Sequence, residues 1–262
     1  MVRPLPEIQN TRTRLRENVF FTPMPSEPSP TPLLSVIVPV LNEASRLPEC
    51  LRPVLAAAPS AELLVADGGS GDGSPDLARS LGAQVLRSPH AGRAAQMNLG
   101  AAAARGSVLV FLHADTILPP NWHHALRQAL ASHPNSIGGV FRRRFDTTSA
   151  WLRLTCRLAD WRARRFGWFL GDQTILVRRE TFESIGGYRS LSAFEDLDLS
   201  RRLRTLGPSF VVPVTTITSA HRFATRGPLV QTLADLRLTL HFLRHPDAYA
   251  IEPSSDGQPA PR

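Results

Sequence analysis

Short apolar runs alternate with helical patterns through the first half of the folded region. The pattern predicts, in chain order, a strand at 34–40, a helix at 44–58, a strand at 62–66, a helix at 75–81, a strand at 84–87, a helix at 92–105 and a strand at 108–112. Alternating strands and helices are typical of a parallel sheet, and the last strand is apolar throughout, which suits a central position. The sequence therefore predicts an α/β fold of one domain, with a mostly parallel sheet flanked by helices.

Both ends of the chain have a different composition. Residues 1–32 are rich in proline with little periodicity, and residues 252–262 are rich in proline, serine and glycine. Such segments bury too little apolar surface to fold, so we expect a disordered leader and tail. The main domain is predicted at 33–225, followed by a helical extension at 226–251.

The charge and the cysteines limit the binding partners and the cellular compartment that we expect. The formal net charge is +8, and arginine supplies all the Lys+Arg positions, which suits nucleic acid, an anionic membrane or a nucleotide diphosphate. Cys50 and Cys156 lie far apart without metal-ligand spacing, which favours a reducing compartment. No apolar run is long enough for a membrane span or resembles a signal peptide. We expect a cytoplasmic protein, with peripheral contact at the inner membrane face left open.

Two strand ends are candidate ligand sites. The first strand ends at Asn42 and Glu43, and the second at Asp67 before several glycines. Ligands bind beyond the carboxyl ends of parallel strands, and glycines permit close backbone approach. The glycine spacing matches neither a P-loop nor a dinucleotide fingerprint. A carboxylate there can hydrogen-bond a base or ribose, although an ordinary turn explains each loop as well. Ser74 is predicted to cap the next helix, with Pro75 at its first position.

Acidic residues occur at the end of one further strand and at the start of one helix. His113 and Asp115 end the most buried strand, where their alternation lets both face one side and Asp115 bind a hard cation. Glu195 and Asp196 open an amphipathic helix with Leu199 on its buried side. Capping of a turn by Asp115, and complementing of a helix dipole by the acid pair, are the structural alternatives.

The ordered set of motifs PVLNE, ADGGS, GRAAQMNLG, HAD, GDQ and ED before a basic helix resembles family 2 glycosyltransferases of the GT-A fold. It is most similar to the bacterial branch with an HAD metal motif. The resemblance spans about 34–223. It implies an inverting transfer of one sugar from a nucleotide diphosphate sugar, with UDP as the expected nucleotide, to an unidentified hydroxyl acceptor such as a lipid or small metabolite. The QxxRW signature of processive synthases is absent.

The resemblance also implies roles for individual residues. The nucleotide would lie against Pro39, Glu43, Asp67, Gly68, Arg93 and Asn98. The donor or acceptor pocket would include His113, Gly171, Asp172, Gln173 and Arg222. A divalent cation, Mn²⁺ or Mg²⁺, would bind Asp115, and His221 near the diphosphate is a second metal candidate. Asp196 would be the catalytic base with Glu195 as its neighbour, and an exchange of these two roles stays open.

Other interpretations remain. A sugar-phosphate nucleotidyltransferase shares the architecture, but its basic glycine-rich signature is missing. A catalytically inactive protein that binds a nucleotide or nucleic acid fits the charge, yet no recognition module is present, and we expect no nucleic-acid partner. Between residues 151 and 170, apolar Trp151, Leu154, Leu158 and Trp161 alternate with arginines. We predict a helix that packs on the sheet with a solvated basic side, and contact with an anionic membrane is the alternative.

Overall fold

A computed structural model describes residues 34–57, 61–90 and 92–251. The predicted leader and tail lie outside these residues, as does Leu33, the predicted start of the domain. In the described part, the strand predicted from the first apolar run is β1, Leu34–Val40. None of the helices in these three ranges is long and apolar enough to cross a bilayer.

One sheet contains the eight strands of the described residues. The strands that follow β1 are β2 Glu62–Asp67, β3 Gln84–Arg87, β4 Val108–Phe111, β5 Thr116–Ile117, β6 Gly138–Phe145, β7 Ile175–Arg178 and β8 Ser209–Thr218. Their order across the sheet is β3-β2-β1-β4-β7-β6-β8-β5. The neighbours from β3 to β4 are parallel, and so are β6 and β8, whereas β7 is antiparallel to both of its neighbours. The predicted α/β fold with a mostly parallel sheet is confirmed.

The α-helices of the described residues cover both faces of the sheet. They are α1 Leu47–Ala57, α2 Ser74–Ser80, α3 Arg93–Ala103, α4 Trp122–Ser132, α5 Ala150–Phe166, α6 Arg179–Ser184, α7 Glu195–Arg204 and α8 Pro228–Arg244. A 3₁₀ turn, Gly171–Gln173, precedes β7. The predicted boundaries of α1, α3 and β4 differ from these by one to three residues, which is usual where a helix or strand end is set by tertiary contacts.

The alternation of side chains along β1 creates two apolar layers. Val36 and Val38 pack with α1 and α4 on one face, whereas Ile37 packs with α3 and α7 on the other. Leu199 of α7 is fully buried in the second layer, as its position in the amphipathic pattern predicts. Because β1, β2 and β4 are parallel, their carboxyl ends meet at one edge of the sheet, and the predicted site residues follow them there.

The prediction that Ser74 caps α2 is wrong. Gly73 occupies the capping position without a side-chain bond, and Ser74 is already the first residue of the helix. The hydroxyl of Ser74 is buried and instead accepts a hydrogen bond from the backbone N–H of Glu43, 3.0 Å away in the neighbouring loop. Asp72 accepts from the backbone N–H of Ser74 at 3.0 Å. A contact between loops has therefore replaced the local cap.

The predicted apolar face of α5 is not the face that packs. The helix lies against the protein through Leu152, Cys156, Ala159 and Ala163. The residues that suggested a packing stripe are exposed instead: Trp151, Leu154, Leu158 and Trp161. Small side chains allow the backbone of α5 to approach the sheet closely, so burial selected the side with alanine and cysteine rather than the side with the larger apolar groups. Cys50 and Cys156 are both free and buried.

Candidate active site

The loops after β1 and β2 are joined to each other by backbone-to-side-chain hydrogen bonds. The N–H of Asn42 donates to the hydroxyl of Ser70, and the side-chain oxygen of Asn42 accepts from the N–H of Gly71, both at 2.9 Å. The hydrogen bond from the N–H of Glu43 to the Ser74 hydroxyl links the same two loops. We call these segments, residues 41–46 and 67–74, the paired loops. They form a preformed wall at the carboxyl edge of the sheet.

Asp67 closes the second of the paired loops. Its carboxylate is only 4% exposed and accepts hydrogen bonds from the N–H of Gly69 at 3.0 Å and of Ser70 at 3.2 Å. Gly69 has φ 97°, a left-handed conformation that favours glycine. The structure thus shows Asp67 shaping the loop. Its predicted contact with a nucleobase stays a prediction, for which a carboxylate retains acceptor capacity.

A buried glutamine joins the ends of β1 and β2. The amide nitrogen of Gln96, on α3, donates to the backbone carbonyls of Val40 and Ala66, each at 2.7 Å. Pro39 lies opposite Ala66 in the parallel register. Gly68 packs so tightly beneath Gln96 that an added Cβ would lie 3.0 Å from the amide nitrogen. We did not identify Gln96 from sequence; its signal was a polar residue among the buried Ala and Met positions of α3.

Helix α3 also connects the paired loops to the acid pair of α7. The guanidinium of Arg93 lies 3.2 Å from the carboxylate of Glu195. Asn98, one of the residues predicted to contact nucleotide, uses its amide to pair with the backbone of Tyr188: it donates to the carbonyl at 2.8 Å and accepts from the N–H at 2.9 Å. The structure therefore places Arg93 against the acid pair, and gives Asn98 contacts that hold α3 in position.

His113, Gly171 and Asp196 meet at the centre of this region. The N–H of Gly171 donates to the carboxylate of Asp196 at 2.5 Å. A Cβ on Gly171 would lie 2.5 Å from the ring of His113 and 3.3 Å from the Asp196 carboxylate. Burial lowers the pKa of His113 to about 3, and the charge of Arg93 acts in the same direction. The imidazole is therefore neutral near pH 7, and Gly171 is the residue that leaves room for it.

The two acids of α7 have different surroundings. Glu195 is buried, and burial first, then the charge of Asp196, raises its pKa, while Arg93 opposes the shift. Asp196 is half-buried and also accepts from the N–H of Leu197 at 2.7 Å. The charges of both acids add to burial in raising the pKa of Tyr188. We call Glu195, Asp196, His113 and Gly171 the acid cluster. One of its acids is engaged by arginine, while the other is held by two backbone N–H groups.

Asp115 lies beside the paired loops. Its carboxylate accepts from the hydroxyl of Thr116 at 3.2 Å, and its carbonyl accepts from the N–H of Ser219 at 3.0 Å. Burial raises the pKa of the nearby Cys50 thiol, and the charges of Asp115 and Glu43 raise it further. In residues 34–57, 61–90 and 92–251, no three His, Cys, Asp or Glu side chains gather as a metal cage. A cation shared with a diphosphate needs only one or two carboxylates, and Asp115 fits that arrangement.

One buried and one half-buried arginine contact the turn that carries the predicted GDQ segment. Asp172 forms an ion pair with Arg143 of β6, whose side chain is only 8% exposed. Arg162 of α5 donates to the side-chain oxygen of Gln173 at 3.3 Å. Burial, followed by the charge of Arg143, lowers the pKa of Arg162 to about 10, and the charge of Asp196 opposes that shift. Neither arginine was predicted as a site residue, although three consecutive arginines in a strand (142–144) were a visible signal.

The segment after β8 is exposed. His221 and Arg222 are exposed and lie in a short turn, His221–Phe223. The turn begins two residues after Ser219, whose N–H donates to the carbonyl of Asp115. The guanidinium of Arg222 lies 2.6 Å from the carboxylate of Asp235 on α8. Its predicted place in the sugar pocket and the predicted metal contact of His221 stay predictions. In the structure Arg222 binds the C-terminal helix.

Comparison with known sequences gives a family. The profile described as Glycosyl transferase family 2 matches residues 35–193. Undecaprenyl-phosphate 4-deoxy-4-formamido-L-arabinose transferase of Pseudomonas paraeruginosa is 31% identical over 183 residues, which cover 64% of this chain and 53% of that protein. 4,4'-Diaponeurosporenoate glycosyltransferase of Staphylococcus haemolyticus is 32% identical over 110 residues, or 39% of this chain and 29% of that protein. The chain thus spans about half the length of the first of these relatives.

Comparison with solved structures agrees on the fold. Mannosyltransferase PcManGT from Pyrobaculum calidifontis, in complex with GDP-Man and Mn²⁺, has a TM-score of 0.58 at 20% identity, covering 72% of this chain and 57% of that one. TarS 1-349 of S. aureus, in complex with UDP, has a TM-score of 0.60 at 14% identity, covering 71% and 60%. At these identities the likeness concerns the arrangement of strands and helices.

Proposed function

The chain belongs to glycosyl transferase family 2, and we propose that it transfers a single sugar from a nucleotide diphosphate sugar to a hydroxyl acceptor with inversion. The observation that carries the proposal is the position of Asp196, which contacts Gly171 beside His113. Its neighbour Glu195 pairs with Arg93 of α3, the helix whose Gln96 holds the strand ends before the paired loops. A half-buried carboxylate next to a preformed ligand wall is the arrangement that general-base transfer requires. We assign the catalytic domain to 33–225 and the helical extension to 226–251.

The paired loops would hold the nucleotide of the donor. The hydrogen bonds between them hold both loops in one conformation, so little ordering cost is left for binding. Pro39, Glu43, Asp67 and Gly68 would contact the nucleotide there, and Arg93 of α3 offers a side chain that is 55% exposed. The UDP and GDP-Man complexes of the structural relatives support such a donor. We propose UDP as the first nucleotide to test.

A divalent cation, Mn²⁺ or Mg²⁺, would be held by Asp115 together with the diphosphate, with His221 as a further candidate. The cation would neutralise the negative charge that grows on the diphosphate as the sugar leaves. Support comes from the carboxylate of Asp115 at the edge of the sheet and from the Mn²⁺ complex of the archaeal relative. The neutral His113 adds no positive charge of its own, which leaves charge compensation to the cation and arginines.

Asp196 would act as the base. Its carboxylate takes the proton of the acceptor hydroxyl while the acceptor oxygen bonds to the anomeric carbon, and the bond from that carbon to the diphosphate oxygen breaks on the opposite side. Two backbone N–H groups orient the Asp196 carboxylate. Glu195 is engaged by Arg93 and its pKa is raised by burial. We therefore assign Asp196 the proton transfer and Glu195 the positioning of Arg93.

The acceptor is proposed as a lipid or a small metabolite with a free hydroxyl. The Pseudomonas relative carries undecaprenyl phosphate in its name and the staphylococcal relative 4,4'-diaponeurosporenoate, which favours an apolar acceptor. The two free cysteines suit a cytoplasmic location.

Calorimetry with UDP and with GDP, each with and without Mn²⁺, tests the donor half of the proposal. We expect binding of a diphosphate that strengthens with the metal, followed by diphosphate release when a panel of nucleotide sugars is supplied with a cell extract as the source of acceptor. Tight RNA binding without any metal-dependent diphosphate binding would instead identify a nucleic-acid-binding protein on the same fold.

A further inference from the structure

Exposed apolar side chains are concentrated on two helices. Ten of the twelve large apolar side chains that are exposed in the described part of the chain belong to α5 and α8. Eight of the ten, four on each helix, repeat at helical spacing and share one face of their helix, whereas Val230 and Leu238 of α8 lie off that face. The two stripes are Trp151, Leu154, Leu158 and Trp161 on α5, and Leu229, Leu233, Leu236 and Leu240 on α8. We call them together the α5/α8 surface.

The two stripes adjoin each other. The indole N–H of Trp151 donates to the hydroxyl of Thr232 on α8 at 3.1 Å, and Thr232 lies next to Leu233 in the chain. Within α8 only Phe242 is buried, so this helix contributes little to the core of the protein. Two exposed apolar stripes on helices that meet in this way mark an interaction surface rather than ordinary scattered leucines.

Arginines border the α5/α8 surface. Seven arginines lie on α5 and α8 against two carboxylates. Of these carboxylates, Asp160 is half-buried, and Asp235 is paired with Arg222 at 2.6 Å. The exposed arginines on α5 are Arg153, Arg157, Arg164 and Arg165, and those on α8 are Arg237 and Arg244. The surface is thus apolar at its centre and positive at its border.

This combination selects an anionic bilayer over a second copy of the chain. In a two-fold dimer the same patch meets itself, which would bring the arginine borders together. An anionic lipid surface attracts arginine and accepts apolar side chains below its headgroups. The two tryptophans also suit the membrane–water interface, where one end of the indole is apolar and the other polar. We propose that the α5/α8 surface docks on an anionic lipid bilayer.

Docking there would place the acid cluster beside the membrane. The ring of Phe166, at the end of α5, packs between Trp161 and Trp168 at centroid distances of 5.4 and 5.7 Å, and the chain continues from Trp168 into the turn that contains Gly171. From the other helix, Phe242 stacks on Phe194 at 5.1 Å, one residue before Glu195. If the transferase activity proposed above holds, this orientation would bring Asp196 close to an acceptor held in the bilayer.

Flotation of the full chain with vesicles tests the proposal. We expect binding to vesicles of equal phosphatidylglycerol and phosphatidylcholine at low salt, weaker binding at high salt, and little binding to pure phosphatidylcholine. The variant Leu233→Gln/Leu236→Gln should bind at least about tenfold more weakly, because two leucines lose their burial in lipid. Leu206→Gln, at an equally exposed leucine outside the two helices, is the matched control and should bind like the wild type.

A charge variant separates the basic border from the apolar centre. Arg157→Gln/Arg164→Gln should weaken binding about fivefold for each arginine removed, whereas Arg127→Gln on the exposed side of α4 should change little. UDP binding in the presence of Mn²⁺ should be the same in every variant. This measurement separates the two proposals. A wild type that does not bind UDP would count against the transferase and not against docking.

Three outcomes would overturn the docking proposal. The first is that the wild type stays unbound with the anionic vesicles at low salt. The second is that both double variants bind as well as the wild type. The third is a wild-type dimer in sedimentation analysis that the leucine variant dissociates, which would assign the surface to a second copy. Trp161→Gln on α5 provides an independent variant if the α8 change prevents folding.

Discussion

The paired loops and the acid cluster are both parts of one site, but they are held by different kinds of contact. Short polar side chains and backbone N–H groups hold the paired loops, as the contacts of Asn42 with Ser70 and Gly71 show. Charged side chains from distant parts of the chain surround the acid cluster, among them Arg93 and Arg162. The first arrangement makes a rigid wall of ordinary turns. The second concentrates charge where protons and phosphate charge have to be handled.

The difference predicts where substitutions affect turnover and where they affect binding. Changes in the acid cluster should lower the rate with little effect on the nucleotide, because the charges act on the reacting groups. Changes in the paired loops or in Gln96 should lower stability and nucleotide affinity together, because the same hydrogen bonds serve both.

The largest effect is expected for Asp196→Asn. An amide cannot take the acceptor proton, and general-base assistance is worth about 10² to 10⁴ in rate. Turnover in the diphosphate-release assay should fall by that factor, while UDP affinity measured by calorimetry should change by less than about threefold. Asp76→Asn, at an exposed acid in the first turn of α2, is the matched control. Wild-type turnover in the Asp196 variant would remove this residue from the mechanism and direct attention to Glu195.

The next largest effect on turnover is expected for Gly171→Ala. The new methyl group would lie 2.5 Å from the His113 ring, so the ring and the Asp196 carboxylate must separate, and a displacement of about 1 Å can cost on the order of 10² in rate. Combining it with His113→Ala removes the ring that causes the clash. The paired measurement should show strong non-additivity in kcat. Additive losses would mean that Gly171 and His113 act separately.

Gln96→Met should mainly affect stability. The substitution keeps the volume but removes two buried hydrogen bonds, which leaves the Val40 carbonyl with only the N–H of Gly68 at 2.8 Å. The loss costs about 1 to 3 kcal/mol. Urea denaturation should show that loss, and UDP affinity should weaken with it as the paired loops lose their anchor. Gln128→Met on the exposed side of α4 should be neutral. A stable variant with unchanged affinity would show that the strand ends keep their positions without this glutamine.

Arg222→Gln should have the smallest effect. The ion pair of Arg222 with Asp235 is largely exposed, and exposed pairs contribute about 0 to 1 kcal/mol to stability. If Arg222 serves only to hold α8, turnover should change by less than about twofold. A much larger loss of turnover with normal stability would return Arg222 to the sugar pocket, as the family resemblance implies.

Much of the first half of the fold was predictable from local patterns. The bounds of β1 and β3 match the prediction, because apolar runs bounded by turn residues define strands directly. The cap of α2 was not predictable from the local sequence. The Ser74 hydroxyl could bond to its own helix or to the neighbouring loop, and in the structure it accepts from the N–H of Glu43 in that loop. The face of α5 was not predictable either. Its larger apolar residues and its small ones alternate around the helix, and only the space beside the sheet selects between them.

The candidate site divides in the same way. Asp67 and Asp115 were visible because each lies at a strand end on the carboxyl edge of the sheet, where parallel strands gather their ends. The acid pair was visible because it opens the amphipathic helix α7. Arg162 was hidden among thirty basic residues, and the run of arginines at 142–144 does not tell which of the three is buried. Gln96 was hidden for a related reason, because its partners are two carbonyls that become neighbours only when β1 and β2 pair.

By itself the sequence determined the alternation of strands and helices, the family and the edge of the sheet where polar groups meet. Periodicity and turn chemistry are local, and they act before any long-range contact forms. The tertiary structure decided which charges are buried, which acid of the α7 pair faces Gly171 and which side of α5 remains exposed. Those outcomes depend on the space and charge that distant elements supply, and no single stretch of the chain contains that information.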